Sequence, residues 1–376
     1  MSEGRDGLED FHEDIALARL VDDLRLRALE EGRRSRLLIL GDLFDFGKVG
    51  AGSNGAFPAR LDRSTDAALA KLERIAAAHA GVFQALGRFV GYGLRLDLVP
   101  GNHDVELMRR PVRDRFRALI ARASGSPSVE GDIRLHPWIF RIPGVLYAEH
   151  GQQYHDLNRF ADLIAASGDD DAQIGLPPGA MLDELLVEVT EGGVRMRSTL
   201  RFIRRLAVSA AEMERAQRPR RRDAYHERLR RHATELGLRP DLLVAIERLS
   251  AATPRSMAGR LLRRATLGPA TRRMRPNREA LRADGYMLVA ARRIHGVLAS
   301  AGAASPFYVL SHTHIPADEP LSAEAGAPRY LNPGTWSSLT RGRADGPRFL
   351  EISAEPGAVA PTARLSRWEQ GAAAVR

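Results

Sequence analysis

The sequence predicts an α/β core interrupted by a helical insertion. Three observations lead there. Short apolar runs such as RLLIL (36–40) end abruptly in glycine-containing polar loops. Stretches with helical apolar spacing lie between those runs. Residues 156–300 carry almost no strand signal, and strand patterns resume at 306.

In chain order, DIALARLVDDLRLRALEE (14–31) has apolar residues at 17, 20, 21, 24 and 28, the spacing of one helix face. RLLILGD (36–42) reads as a buried strand ending in Gly41-Asp42. Residues 65–90 are alanine-rich and helical. Leu94, Leu96 and Leu98 alternate with Arg95 and Asp97, so 94–99 reads as a strand running into Pro100-Gly101-Asn102-His103-Asp104. A helix is expected over 112–123. IRLHPWIFRI and VLYAEHG read as two strands broken at Pro143-Gly144. Further strands are expected at 306–314, 329–336, 348–353 and 362–368. The expected organisation is a discontinuous core, 1–155 and 301–376, around an arginine-rich helical insertion at 156–300. That insertion, roughly 140 residues, is of domain size.

Composition narrows the function classes. The chain has 376 residues, 44% of them hydrophobic and 27% charged, which fits a globular protein rather than a disordered one. It has no cysteine, so a disulfide framework, a thiolate zinc site and a cysteine nucleophile are excluded. No apolar run reaches membrane-spanning length, and MSEGRDGLED is too acidic for a signal peptide. A cytoplasmic protein is expected. The net charge of +9 comes largely from arginines in 195–293, a surface suited to anionic partners.

Four polar clusters each follow a short apolar strand: Gly41-Asp42-Leu43-Phe44-Asp45, Gly101-Asn102-His103-Asp104, Glu149-His150-Gly151 and Ser311-His312-Thr313-His314. Together they offer carboxylates, an amide oxygen and imidazoles without sulfur. That donor set suits manganese, zinc, iron or magnesium. An aspartate shared by two such ions would hold them about 3.5–4 Å apart. Singly, each cluster has a plainer reading. Gly-Asp after a strand is a common turn, and Gly-Asn-His-Asp has turn chemistry. His-x-His on a strand places both rings on one face, which also fits two solvent-facing histidines.

The ordered set GDLFD, GNHD, EHG and SHTH resembles the calcineurin-like metallophosphoesterases. LGDLFDF and the EHG…NRF segment are most similar to bacterial enzymes like the UDP-diacylglucosamine hydrolases. The resemblance covers 36–155 and 306–336 and leaves 156–300 outside it. It implies a two-sheet β-sandwich flanked by helices (αββα), two divalent ions with manganese foremost, and attack by a bridging hydroxide on a phosphate ester or pyrophosphate. By the same resemblance Asp42 bridges both metals. Asn102, His150 and His312 complete the second metal site, and His314 binds the first. His103 contacts the phosphate or protonates the leaving oxygen, oriented by Asp104, while Asp45 supports from behind the ligands. Asn332-Pro333-Gly334-Thr335-Trp336 resembles the turn after the family's final histidine pair and reads as a structural turn with a packed tryptophan. His155 reads as an added ligand or as a histidine behind the ligands or on the surface.

The family's first metal also needs an Asp-x-His. Asp10 and His12 have that spacing and lie 32 residues before Asp42. However, no apolar run precedes them, and an amphipathic helix starts almost at once. Acidic Glu13 and Asp14 suit its N-terminus. The helix-start reading is favoured, and it implies that the family's first strand is missing, as a truncated start would leave.

The insertion reads either as solvated helix faces or as a cap that recruits an anionic, phosphate-bearing small-molecule or lipid-linked substrate. MRSTLRFIRRLAVSA (196–210) suits an acidic membrane surface, peripheral to the inner face. Nucleic acid is disfavoured: QRPRRRDAYHERLRRH has one aromatic residue and fits no known module. Beside the hydrolase stand two alternatives, a catalytically impaired binding scaffold with an incomplete first metal site and a nuclease of the same fold.

Overall fold

The computed structural model describes residues 1, 9, 11–50, 62–155, 158–160, 164, 177, 219–251, 285–337, 346–354 and 360–369. Asp10, the arginine-rich stretch 196–210 and most of 156–300 lie outside these residues. Among the described residues the chain is mixed α/β with three sheets, and no helix is long and apolar enough to cross a membrane.

The first half alternates helices and strands. Helix α1 (Asp14–Glu30) buries Ala16, Leu20, Val21 and Ala28 on one face. It begins at Asp14, and Glu13 makes no side-chain capping bond. Strand β1 (Arg36–Leu40) follows, then α2 (Thr65–Ala78), whose Ser64 side chain accepts from the Ala67 N–H as an N-cap should. Helix α3 (Ala80–Gly91) leads into β2 (Arg95–Val99). Helix α4 (Arg110–Ser124) starts with proline in its first turn and stops at Gly125, φ +76°. Then come β3 (Ile133–Leu135), β4 (Ile139–Ile142) and β5 (Leu146–Glu149).

Within 156–300 the described elements are helices: α5 (Pro219–Glu235), α6 (Pro240–Ala251) and α7 (Tyr286–Ala299). Five strands close the described chain: β6 (Phe307–Leu310), β7 (Ala317–Pro320), β8 (Arg329–Asn332), β9 (Arg348–Ser353) and β10 (Thr362–Arg367).

Strands β1, β2 and β3 form a parallel sheet. A second sheet has the order β4-β5-β6-β8-β7, in which β5, β6 and β8 are parallel and both edges are antiparallel. Strands β9 and β10 pair as a separate antiparallel ribbon.

Strand alternation sorts the core into three parts. Leu37, Ile39, Leu96, Leu98 and Ile133 of the first sheet face α1–α4. Tyr147, Tyr308, Leu310 and Tyr330 of the second sheet face α5–α7. Leu38, Leu40 and Val99 meet Phe140, Leu146, Ala148, Phe307, Val309 and Leu331 between the sheets, with Leu350 and Ile352 of the ribbon.

Several expectations need correction. IRLHPWIFRI is not one strand: the backbone leaves the ladder at His136-Pro137, and β3 and β4 join different sheets. Strand β1 is half-buried rather than buried, since it is an edge of its sheet. Asp97, which alternates with the leucines of β2, is fully buried as well. Its carboxylate is held by His136 Nε2 at 2.6 Å and Arg36 Nε at 3.3 Å, the pairing a buried charge requires. The His-x-His pair is not on a strand either: β6 ends at Leu310, and both histidines have left-handed backbones.

Candidate metal centre

Asp42, Asn102, His150 and His312 each lie within three residues of the carboxyl end of a parallel strand: β1, β2, β5 and β6 respectively. Loops leaving that edge of parallel sheets converge in space. Here they come from two sheets, and backbone bonds tie them together. The Leu40 carbonyl at the end of β1 accepts from the His150 ring at Nδ1 (2.8 Å) and from the Ser311 hydroxyl (2.8 Å). Ser311 N–H donates to the His150 carbonyl at 3.0 Å.

With Nδ1–H given to Leu40, His150 turns Nε2 inward. Burial would lower the ring's pKa, but Asp42 outweighs it and raises it. Nε2 lies 3.1 Å from Asp42 Oδ2 and 3.2 Å from His312 Nδ1. The three side chains offer ligand atoms within 4.8 Å of one another and could hold a metal ion. His312 is fixed from its far side, where His155 Nδ1 and the Asn158 amide each lie 3.2 Å from Nε2. A His312 that donates Nε2–H to His155 keeps Nδ1 for the cluster. His155 therefore stands behind a ligand, its ring stacked on Tyr286.

Two further observations fit a cation. Asn102 is buried, and its Oδ1 has no hydrogen-bond partner. An amide oxygen stripped of partners costs about 1–3 kcal/mol unless something else coordinates it. Gly41 and Gly101 also bring backbone against the ligands. A Cβ at Gly41 would fall 2.2 Å from His150 Nδ1, and one at Gly101 2.1 Å from Asp42 Oδ1. Only glycine leaves room there. Asp42 itself has φ +55°, and His312 and His314 have φ +52° and +61°. Left-handed non-glycine backbone costs about 1–3 kcal/mol and collects at functional sites.

The electrostatics suit metal binding as well. Burial alone would raise the Asp42 pKa, but the His150 and His103 imidazoles outweigh it and hold the carboxyl well below its usual range. Burial, reinforced by His150, pushes His312 down to about 2, so its ring is neutral near pH 7. His314 is half-buried and close enough for its charge to bear on His312, yet it is not part of the three-residue group.

Asp104 differs from expectation: it does not orient His103 in this structure. It is fully buried and accepts from the backbone N–H of Asp42 (3.3 Å), Leu43 (2.8 Å), Phe44 (3.3 Å) and Gly101 (2.6 Å), clamping two loops together. Burial and the neighbouring Asp42 push its pKa up to about 7, against those four donors. Asp45 is the carboxylate on His103, with Oδ2 3.3 Å from Nδ1. Burial opposes its charge, but His103 and Lys48 overcome that and hold it far below the usual range. The backbone N–H of His103 donates to Asp42 Oδ1 at 3.0 Å.

At the other end, Asp10 lies outside the described residues. His12 is exposed just before α1 and is not part of the cluster. The start of this segment is anchored differently: Phe11 packs edge-on against the His79 ring, and Asp14 and Glu9 both contact that imidazole.

One supporting residue was missed from sequence. Asn332, at the end of β8, is fully buried and bonds Ser311 O (2.9 Å), Thr313 Oγ1 (3.0 Å) and the Tyr330 hydroxyl (3.2 Å), while accepting from Gly334 N–H (2.8 Å). It props up the loop that carries His312. The signal was the Asn-Pro-Gly run itself, read only as a turn. Trp336 packs against the core and donates its indole N–H to Arg348 O, as a structural tryptophan should.

No family model matches the chain, and no curated protein matches its sequence.

Proposed function

We propose that this protein is a metal-dependent hydrolase of phosphate esters or pyrophosphates, built on a metallophosphoesterase-type αββα sandwich. One observation carries the reading. Asp42, His150 and His312 arrive from three strand ends with ligand atoms within 4.8 Å, beside glycines that have no room for a side chain. The three-part core, with helices outside each of two packed sheets, is what that fold requires. Asn102 would add its buried oxygen to the ligand set, and His314 would face a neighbouring ion.

Bound there, divalent cations, manganese foremost and zinc, iron or magnesium otherwise, supply an activated water and neutralise charge on the phosphoryl oxygens. The chain's own groups do the rest. Asp42 presents one oxygen to His150 and the other to the His103 N–H, so its carboxylate plane is fixed. Asp45 engages His103 Nδ1, which makes Nε2 the atom that would hand a proton to the leaving oxygen. Asp104 keeps the two loops in register through their backbones. The substrate would be an anionic, phosphate-bearing small molecule or a lipid-linked one, met from the cytoplasmic side.

A second reading has an observation of its own. Among the described residues one ligand group converges, not two, and His12 is outside it. A scaffold of the same fold with an incomplete first site would look like this.

Metal analysis joined to a phosphoester panel separates them. Two ions per chain and manganese-stimulated hydrolysis of an aryl phosphate are expected. Asp42→Asn should lose both, and His103→Gln should keep the ions while turnover falls about 10²–10⁴-fold. Metal-loaded protein that turns over no monoester, diester or nucleotide-linked pyrophosphate would refute the enzyme.

A further inference from the structure

A cavity of about 270 Å³ is lined by residues at the carboxyl ends of β2 and β3. Its walls include Pro100, Leu107, Met108, Leu135, Pro137 and Ile164, which are apolar or nearly so. Its charged lining comes from three elements. Arg113 reaches in from α4; Arg228, Arg231, His232 and Glu235 come from α5; His136 sits at the end of β3. Among the described lining residues, three guanidinium groups share one small space with one carboxylate, and Arg113 also meets Asp114 at 3.9 Å. Each guanidinium carries more N–H donors than one partner uses, and its geometry matches phosphate oxygens.

His232 sharpens the ligand. It is 3% exposed, and its Nδ1 lies 3.3 Å from Glu235 Oε2. Its Nε2 is buried and has no hydrogen-bond partner. Burial holds the ring below its ordinary pKa, against the pull of Glu235, so it is neutral near pH 7. An Nδ1–H donated to Glu235 leaves Nε2 as an acceptor. The opposite wall is fixed, because His136 Nε2 is committed to buried Asp97 at 2.6 Å. The pocket therefore offers several cationic donors and one buried acceptor. Hydrogen phosphate supplies the complement: oxygens for the guanidiniums and one O–H for the imidazole. The volume is at the small end for ligand sites, which run about 300–1,000 Å³.

We propose that this cavity is a second anion site, distinct from the metal cluster, that binds a hydrogen-phosphate group between α4, α5 and the end of β3. Pro100, one residue before Gly101, lines the cavity and joins it to the loop that carries Asn102.

The test is calorimetric titration of sodium phosphate into full-length protein stripped of metal with a chelator, at fixed ionic strength. Stripping separates this site from the metal reading, since neither result depends on the other. Saturable phosphate binding is expected, with sulfate, which has no O–H at neutral pH, at least about tenfold weaker. The Arg228→Gln/Arg231→Gln double variant should weaken phosphate binding at least tenfold, and Arg113→Gln, on a different helix, should weaken it independently. Circular dichroism identifies any variant that fails to fold. Glycerol 3-phosphate is titrated alongside. Tighter binding than inorganic phosphate would identify an esterified phosphate as the natural occupant, and weaker binding would identify the free ion. No saturable binding, equal affinity for sulfate, or unchanged affinity in the folded arginine variants would overturn the proposal.

Discussion

Gly101→Ala is the sharpest probe of the metal cluster. The added Cβ would lie 2.1 Å from Asp42 Oδ1 and 2.8 Å from both Asp42 Cγ and its backbone nitrogen. Real Cβ contacts essentially never fall below 3.0 Å, so about 0.9 Å of separation has to be found. Gly101 cannot supply it by retreating. Its N–H is held 2.6 Å from Asp104 Oδ1, and the same carboxylate holds the backbone of residues 42–44 on the other side of the clash. The Asp42 carboxylate is the group that must yield, away from its 3.1 Å contact with His150. Overpacking of this kind costs about 1–3 kcal/mol. Misplacing a ligand that its surroundings hold in position lowers metal affinity about 10–100-fold. Manganese titration by calorimetry reads the second effect and thermal melting of metal-free protein reads the first. Gly131→Ala is the control, since its Cβ would meet open space and both measurements should stay at wild-type values. Folded Gly101→Ala protein that binds manganese within threefold of wild type would show that the cluster is not built around this close approach.

Three further outcomes are expected. Asn332→Ala removes the side chain that serves Ser311, Thr313 and Gly334, and at about 1 kcal/mol per bond it should lower stability by about 2–3 kcal/mol in urea melts; a loss under 0.5 kcal/mol contradicts that role. Burial would lower the His79 pKa, but Glu9 and Asp14 outweigh it and raise the pKa above 6.5. Its stabilisation is therefore complete below that ordinary value and fades as pH rises through the folded value. The stability gap between wild type and His79→Gln should shrink from about pH 6 to about pH 8, and a gap that is flat or grows with pH is the contrary result. Asp45→Asn should cut phosphoester turnover about 10–100-fold with metal content unchanged, because His103 loses the carboxylate that orients it; wild-type turnover would remove Asp45 from the mechanism.

Much of this site could be read before any coordinates. Apolar runs bounded by Gly-Asp, Gly-Asn, Glu-His and Ser-His located four strand ends, and the structure brings Asp42, His150 and His312 together from three of them. What could not be read were interactions that depend on distant partners. Which acid orients His103 is decided by how residues 42–45 fold back on 101–104, across some 60 positions of chain. Strand β7 has the sequence ADEP and an exposed edge, so no apolar pattern announced it. IRLHPWIFRI reads as one strand by composition, but proline has no N–H for the ladder, and the chain passes from one sheet to the other at His136-Pro137. The left-handed backbones at 42, 312 and 314 could not be read from residue type alone, because Asp and His are enriched in that region yet mostly lie outside it.

The Leu40 carbonyl has a bearing on how the chain folds. It receives Ser311 Oγ from 271 positions away and His150 Nδ1 from 110. Closing loops of that length comes late, after each sheet has gained its nearer pairings. A cation could then find its ligands assembled only in the finished molecule and would not template the path towards it. Occupancy of the cluster would slow unfolding while leaving the folding rate nearly unchanged, so the ion would act as a latch on the native state.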